Sequence, residues 1–443
     1  MCTISRERFE SRIPTAKGGR VTEFKWGGPH PRAIDPRKQK DESDQRAVRH
    51  FARRLGAVGA LYMSGGDGVT RGLDQFDLEM ANFDRWQAWA TRTFAAHPHD
   101  TFAAEMCRDF ALTGVDVTDL RLSAAERIRW LEGGLAAGRR LGNRRAEMGA
   151  LANLGSARQR CGQTREALEL LEQALTIARE VGDRRTEGTV LANMGNAWSA
   201  LSDLRQAVQY HEEALTLARG TGDRRGEGRA LNNLGIAWKN QGQPRRAAGL
   251  LDQAVAVAVA IGDRRTEGEA LNNLGSTWCD LREFGTATQY HERAADLFRG
   301  IGDRRGEGLA LNNWGVTCAA RGVLEEAVER YEQALAIARE IGDRRTEGQV
   351  LGNLGAALGR SRQLSRAAGY FAQNLALAGE IGDRNSEATA AFNLALALHG
   401  LGESDRAILH AERAAEIFEA IRSSRAAEIR RTLAVWRGIP SEH

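Results

Sequence analysis

One sequence pattern returns every 40 residues along most of this chain. GDRRGEGRALNNLGIAW at 222–238 is repeated as GDRRTEGEALNNLGSTW at 262–278 and as GDRRGEGLALNNWGVTC at 302–318. The glycines that mark the period are Gly142, Gly182, Gly222, Gly262, Gly302, Gly342 and Gly382. A fixed period of this length indicates stacked supersecondary units, because one such unit cannot bury its apolar face alone. The 443 residues therefore do not need to form two or three separate domains.

Each unit contains two stretches with the apolar spacing of amphipathic helices. The first runs from the GDRR turn through LxNLG to about seven residues beyond it, and the second is typified by PRRAAGLLDQAVAVAVAIG at 244–262. An aspartate follows the marker glycine at Asp183, Asp223, Asp263, Asp303, Asp343 and Asp383. Its carboxylate can accept hydrogen bonds from the first amides of the new helix and faces the positive end of the helix dipole. Seven helix pairs are therefore predicted over 144–421.

The flanking segments differ from the repeats in composition. The first 43 residues are rich in Gly, Pro and basic residues without apolar periodicity, which indicates a flexible arm. Further helices are predicted at about 43–63, 69–94, 101–113, from Ser123 onward and at 426–438. Ser123 begins the sequence SAAE, a capping box, and its helix aligns with the second helix of a unit. The predicted divisions are a basic arm at 1–43, a helical region merging into a partial repeat at 44–143, the seven repeats at 144–421, and a capping helix with its tail at 422–443.

Two short motifs in the helical region have chemical interpretations that we do not favour. SGGDG at 64–68 lacks the lysine and the spacing of a phosphate-binding loop, and no strand precedes it, so a turn between helices is predicted. HPHD at 97–100 offers two histidines and an aspartate, but a single H-x-H at a proline-containing turn is more often a loop than a metal site. No metal site or cofactor is predicted.

The repeat unit resembles the tetratricopeptide repeat (TPR). The pattern LxxLGxxW, followed by small residues at fixed distances in the second helix, is shown in one unit by Leu231, Leu234, Gly235, Trp238, Ala247, Leu251 and Ala254. It is most similar to the long 40-residue type of the Pins and LGN adaptor group and of many bacterial arrays. The resemblance implies an all-α fold, a right-handed α-solenoid of helix-turn-helix repeats in which the first helices line an inner groove. The region before the array resembles the segment that precedes such arrays in bacterial STAND-type ATPase regulators.

A few positions depart from this pattern. Asn374 replaces the small residue of one second helix, Arg158 replaces the aromatic residue of the first unit, and Ala388 and Ala395 replace glycines in the last unit. These departures predict looser or end-capping units. His211 and His291 occupy the aromatic position of their second helices. A packed imidazole is predicted there rather than a base or a metal ligand.

An asparagine stands beside the second leucine of every unit, at Asn153, Asn193, Asn233, Asn273, Asn313, Asn353 and Asn393. It lies about 200° around the helix from the first core leucine, so packing does not require it. Asparagine costs a helix interior roughly 0.5 to 0.7 kcal/mol relative to alanine, so its recurrence indicates a compensating gain. Two gains remain open: a ladder of hydrogen bonds between repeats, or a row of carboxamides that holds the backbone of a bound peptide, as such asparagines do in peptide-binding TPR arrays.

The neighbouring groove positions vary from unit to unit, as expected of a recognition surface on a repeated frame. The groove is predicted to be polar and of mixed charge at its centre and more apolar towards the C-terminal units. The predicted peptide-binding residues are Asn193, Arg229, Asn232, Asn233, Ile236, Lys239, Asn240, Asn272, Asn273, Ser276, Asn312, Asn313, Val316 and Asn353.

Arginine pairs open most units, for example Arg224 and Arg225. A glutamate such as Glu227 follows three residues after the first arginine, where helical neighbours can pair. We therefore favour inter-repeat ion pairs over ligand contacts. The alternative is a nucleic-acid-binding solenoid that uses the arginine ladder and the basic N-terminal arm.

Composition limits the remaining functions. With 62 basic and 58 acidic residues the formal charge is only +4, which argues against a phosphate-coating surface. The five cysteines form no C-x-x-C pair, and no apolar run could span a bilayer or act as a signal peptide, so a cytoplasmic protein without membrane contact is expected. No nucleophile and base, paired carboxylates or phosphate loop indicates an enzyme.

We expect a non-catalytic scaffold that binds a partner protein in its groove. It would act as an adaptor or sensor arm in bacterial regulation, with a separately encoded ATPase or effector as one possible partner.

Overall fold

The computed structural model describes residues 36–64 and 67–437. The chain divides into a short unit, Met1–Arg46, and a main unit, Ala47–His443. The described residues of the short unit are helical. The predicted arm therefore lies outside the described residues except for its last eight, 36–43, which belong to the first helix.

The described residues form twenty α-helices and no strand. In chain order they are α1 (Pro36–Met63), α2 (Asp67–Ala96), α3 (Thr101–Leu112), α4 (Val115–Arg121), α5 (Ala124–Arg140), α6 (Arg144–Arg160), α7 (Thr164–Glu180), α8 (Arg184–Ala200), α9 (Leu204–Thr221), α10 (Arg224–Asn240), α11 (Pro244–Ile261), α12 (Arg264–Asp280), α13 (Phe284–Gly300), α14 (Arg304–Arg321), α15 (Leu324–Glu340), α16 (Arg344–Arg360), α17 (Leu364–Ile381), α18 (Arg384–Gly400), α19 (Ser404–Ala420) and α20 (Arg425–Trp436). The seven consecutive pairs from α6 to α19 are called repeats 1 to 7. The architecture is an all-α solenoid.

The local signals that begin each repeat behave as the sequence predicts. The side chain of Asp223 accepts a hydrogen bond from the Gly226 amide, and Asp183, Asp263, Asp303, Asp343 and Asp383 cap their helices in the same way. Ser123 and Glu126 form the complete capping box of α5. The α1 helix begins earlier than predicted, at Pro36, because proline suits the first helical position and the residues after it favour helix.

The α4 helix was not predicted. It is one short segment of seven residues between α3 and α5, too short for a recognisable apolar period.

In repeats 1 to 6, a glycine of the first helix packs directly against a large side chain of the second helix. A β-carbon at Gly195 would lie 2.5 Å from the His211 ring, and one at Gly275 would lie 2.6 Å from the His291 ring. The same relation joins Gly155 to Leu171, Gly235 to Leu251, Gly315 to Tyr331 and Gly355 to Phe371. The glycine of the first helix is therefore required by close approach of the second helix, rather than by backbone conformation.

In repeat 7, alanines replace both the glycine and the large side chain of this contact. Ala395 stands where the glycine would be, and Ala411 stands where the large side chain would be. Both alanines are fully buried in one core cluster. The predicted looseness of this unit is therefore balanced at this position by a matched reduction in side-chain volume.

The first helices form the inner side of the stack. Neighbouring first helices, such as α10 and α12 or α12 and α14, contact each other directly. The second helices of neighbouring repeats have at most sparse contacts among the described residues. This asymmetry places the first helices on the concave face. Among the described residues, no helix combines the length and the apolar character that a membrane crossing requires.

Candidate functional site in the concave groove

The repeated asparagines form a hydrogen-bonded ladder along the concave face. The Asn273 side-chain amide donates to Oδ1 of Asn232 at 2.9 Å, one repeat earlier. Asn313 donates to Asn272 at 3.3 Å, and Asn353 donates to Asn312 at 2.9 Å. Asn193 donates to Oγ of Ser156 at 3.0 Å. The ladder that the sequence left open is thus present, and it engages one donor of each of these four asparagines.

Two of the four acceptor residues of the ladder are less accessible than its donors. Asn232 and Asn312 are only 5% and 1% exposed, whereas Asn233, Asn273, Asn313 and Asn353 are half-buried. Asn272 is also half-buried, and its Oδ1 lies 2.9 Å from Nδ1 of His291. Asn232 and Asn312, both predicted as ligand contacts, therefore position the ladder instead of presenting a surface to a ligand.

Three asparagines of the series, Asn153, Asn233 and Asn393, stand outside the ladder, and the first of them belongs to repeat 1, which no other repeat precedes. Ala192 occupies the acceptor position before Asn233, and Gly352 occupies it before Asn393. Neither carboxamide forms a hydrogen bond with the described residues. Asn393 was not among the predicted contacts. Alanine also stands one repeat and one residue before Asn193, at Ala152, yet Asn193 bonds Ser156, so the sequence alone does not identify the unbonded asparagines.

We expect Asn273→Ala and Asn233→Ala to have opposite effects on stability. Removing the Asn273 amide leaves the buried Oδ1 of Asn232 without its donor and should lower the free energy of unfolding by about 1–3 kcal/mol. Asn233→Ala breaks no such bond and should raise it by roughly 0.5 kcal/mol through helix propensity. Urea denaturation followed by circular dichroism measures both. Equal losses in the two variants would contradict this division of roles.

The other predicted contacts differ in exposure and charge along the groove. In repeat 3, Arg229 and Asn240 are exposed, and Ile236 and Lys239 are half-buried. Ser276 of repeat 4 is half-buried and donates to the backbone carbonyl of Asn272 at 3.2 Å. The aliphatic side chains at the equivalent position of repeats 5 and 7, Val316 and Leu396, are 42% and 46% exposed. The face therefore changes from charged to apolar towards the C-terminal repeats.

Most arginines of the GDRR turns are paired at the edge of the solenoid. Glu227 is 6% exposed and accepts from Arg219 at 2.9 Å and from Arg224. Arg225 reaches Asp263 of the next repeat at 3.0 Å. A glutamate stands at the equivalent position of every other repeat and is paired with at least one arginine there: Glu147, Glu187, Glu267, Glu307, Glu347 and Glu387. The positive charge of these arginines is therefore largely neutralised by acidic side chains of the protein. This arrangement does not favour the nucleic-acid-binding alternative.

Ion pairing keeps two buried glutamates of this edge ionised, although burial alone would raise their pKa values. Burial opposes ionisation of Glu187, but hydrogen bonds from Arg179 and Arg184 outweigh it, and the pKa of this carboxyl is lowered. Glu147 behaves alike, with Arg139 and Arg144 as its partners. These ion pairs join the end of one repeat to the start of the next and so fix the angle at which repeats stack.

The titratable side chains of the N-terminal region, Cys107, Glu126 and His99, each contact different residues. Cys107 is 1% exposed beside Thr91, and burial raises the pKa of its thiol to about 11. Glu126 is engaged with Ser123, and hydrogen bonds from Ser123 lower its pKa. His99 lies in the turn before α3 and contacts Arg140. Among the described residues there is no group of three His, Cys, Asp or Glu side chains that could hold a metal ion.

The end of α1 contacts the charged centre of the array. The Arg265 guanidinium of repeat 4 donates to the Tyr62 hydroxyl at 3.1 Å and lies 3.3 Å from the Glu269 carboxylate. Burial raises the pKa of Glu269, which lies on the groove face beside Arg265. Sequence patterns could not reveal this contact, because Tyr62 and Arg265 are 203 residues apart. The charge of Glu269 is thus already engaged by the protein.

A cleft of about 650 Å³ lies between the N-terminal helices and the turns of repeats 4 to 6. Several of its charged side chains are paired with one another. Arg121 bonds Asp77 at 2.9 Å, and Arg305 bonds Asp343 at 3.1 Å. These groups are less available to a ligand than those of the concave face.

Models of the tetratricopeptide repeat match residues 147–220, 266–340, 306–378 and 228–261. The chain therefore contains tetratricopeptide repeats. A search of curated protein sequences found no match.

Solved structures of similar fold include aspartyl phosphate phosphatase F from Bacillus subtilis, at 13% identity and a TM-score of 0.52, with 79% of this chain and 96% of that chain covered. Another is the STAND protein with a tetratricopeptide repeat sensor from Pyrococcus horikoshii, at 14% identity and a TM-score of 0.49, with 80% and 55% covered. A third is a Rap protein complexed with Competence and Sporulation Factor, at 12% identity and a TM-score of 0.49, with 82% and 99% covered. At these identities the likeness concerns the fold alone.

Proposed function

We propose that this protein is a non-catalytic scaffold whose concave groove binds a peptide segment or a helix of a partner protein. The observation that carries the proposal is the break in the asparagine ladder at Asn233 and Asn393. An asparagine on the groove face that makes no hydrogen bond within the described protein lowers the stability of its helix relative to alanine, and no packing contact compensates for this loss. Its donor and acceptor match the backbone amide of a guest chain.

The exposed aliphatic side chains of the groove support the same function. Val316 and Leu396 stand on the concave side at equivalent positions, with the exposed Ala356 between them. Aligned apolar residues on an otherwise polar face are typical of a surface that becomes covered by a partner. Tetratricopeptide repeats are protein-interaction scaffolds, so the chain's repeats agree with this role.

The non-catalytic part of the proposal is supported by the placement of the buried titratable groups. His211 and His291 are 1% and 0% exposed and pack against Gly195 and Gly275 inside their repeats. Their rings fill the space that Leu251 fills in repeat 3. Such positions suit packing and leave no path for a substrate.

The test is a selection from a random 16-residue peptide display library on the immobilised full-length protein, followed by fluorescence anisotropy with synthetic copies of the enriched peptides. We expect these peptides to bind Asn233→Ala about tenfold more weakly than wild type, because one paired carboxamide is lost. Gln253→Ala is the matched control, since it removes an exposed carboxamide from the second helix of the same repeat. The proposal fails if no peptide is enriched or if Asn233→Ala binds as tightly as wild type.

A further inference from the structure

The first helix of repeat 3 differs from the rest of the array in its unpaired cations. Arginines at the edge of this repeat are held by acidic partners, as Arg219 and Arg224 are by Glu227. Arg229 and Lys239, on the concave side of the same helix, form no ion pair with any described residue. The protein thus neutralises the cations of its edge and leaves these two charges available in the groove.

The acidic side chains Glu269 and Asp280 of the next repeat form no ion pair with either cation. Glu269 occupies the position equivalent to Arg229 in repeat 4, and its carboxylate is engaged by Arg265. Arg265 is itself held by the Tyr62 hydroxyl at 3.1 Å. The charge of Arg229 also acts on Glu269, but the two form no ion pair, and the exposed guanidinium of Arg229 lies one helical turn from the unbonded carboxamide of Asn233.

We propose that the partner segment carries an acidic side chain that binds Arg229 of repeat 3, where Lys239 adds a second positive charge ten residues along the same helix, together with an apolar side chain that contacts Val316 of repeat 5. The proposal rests on the proposed groove-binding function and specifies the chemistry of its ligand. A guanidinium beside a carboxamide donor matches a carboxylate, which accepts several hydrogen bonds at once. An acidic peptide fits better than a nucleic acid, because the unpaired cations are few and the groove continues into an apolar surface.

The spacing of the two contacts sets the spacing of the matching residues in the ligand. Neighbouring packed helices lie roughly 8–10 Å apart, so repeats 3 and 5 are separated by about 16–20 Å. An extended chain covers this distance in about six residues and a helix in about twelve. A 16-residue library includes both spacings, so the enriched sequences also reveal which conformation the groove binds.

The experiment compares the composition of peptides selected by wild type, by Arg229→Glu/Lys239→Glu and by Arg205→Glu/Arg245→Glu. The last variant is the matched control, since both arginines are exposed on second helices and form no ion pair with described residues. Wild type and control should enrich peptides with Asp or Glu at one of the two spacings from an aliphatic residue. The charge-reversed variant should bind these peptides about tenfold or more weakly, and changing their acidic residue to lysine should restore its binding.

The possible failures are distinguishable. If wild type enriches no peptide, the proposed function fails and the inference fails with it. If peptides are enriched without an acidic bias, or if Arg229→Glu/Lys239→Glu binds the acidic peptides as wild type does, the inference is overturned while groove binding stands. If a mixed-sequence single-stranded 16-nucleotide DNA binds wild type and displaces the selected peptides, repeat 3 is a phosphate site and the inference is also overturned.

Discussion

The free energy of unfolding is expected to fall by about 4 kcal/mol between pH 7.5 and pH 5, because two buried histidines resist protonation. Burial lowers the pKa of His211 to about 4. Burial, assisted by the charge of Lys239, lowers the pKa of His291 to about 3. In the unfolded chain both imidazoles titrate near pH 6.5. Below that pH the unfolded chain binds protons that the folded chain does not, so stability declines until the folded pKa values are reached.

The measurement is urea denaturation of wild type and of His211→Phe/His291→Phe at pH 7.5 and pH 5. Phenylalanine fits these positions because Phe371 occupies the equivalent place in repeat 6, also against a glycine. The variant should retain most of its stability at pH 5. The paired glutamates, whose pKa values are lowered, lose their contributions only below about pH 4.5 and do not affect this window.

The exposed His97 provides the control for this prediction. His97→Phe should leave the dependence on pH unchanged. His410, whose pKa is lowered by burial, remains in all of these proteins and cancels in the comparison. A double variant that loses as much stability as wild type between the two pH values would show that these two imidazoles do not control the response.

Gly355→Ala is expected to lower the free energy of unfolding by about 2 kcal/mol, even though alanine is the better helix former. The added β-carbon would lie 2.5 Å from the Phe371 ring, whose side chain is 5% exposed and cannot move aside. Gly359→Ala on the same helix is the matched control, because a β-carbon there meets nothing within 4 Å. It should raise stability by about 1 kcal/mol.

A double-mutant cycle tests whether the glycine and the ring act as one unit. Phe371→Ala alone should cost about 3–5 kcal/mol through the cavity that it leaves. The double variant Gly355→Ala/Phe371→Ala reproduces the Ala395 and Ala411 pair of repeat 7, so its loss should be about 2 kcal/mol smaller than the sum of the two single losses. Additive losses would contradict the proposed fit. Hydrogen exchange of α16 and α17 should localise the effect, since each repeat packs only on its neighbours.

The sequence predicted the repeats well because their signals are local or recur at a fixed interval. The capping aspartates act on amides three residues later, and the marker glycines recur every 40 residues. The α4 helix was missed for the opposite reason, since seven residues carry too little periodicity. The long 40-residue type of the Pins and LGN group remains a resemblance.

The sequence of a single unit could not show whether its asparagine bonds the neighbouring repeat or is available to a ligand. The bond from Asn273 to Asn232 depends on a residue 41 positions earlier, where Asn233 has Ala192 instead. Both facts are present in the sequence, but they become meaningful only when the first helices are known to lie side by side. The ladder and the proposed ligand contacts then fall on different members of the series.

The sequence by itself determined the helix pairs, their number and the identity of the face that they turn inward, because these follow from short-range capping, apolar spacing and exact repetition. Only the tertiary structure decided which carboxamides and cations of that face are already used by the protein. Arg265 is engaged by Tyr62 and Glu269, whereas Arg229 is not. The physical reason is that a hydrogen bond or ion pair requires two groups within about 3 Å, and between distant segments that proximity is created only by the stacking of the repeats.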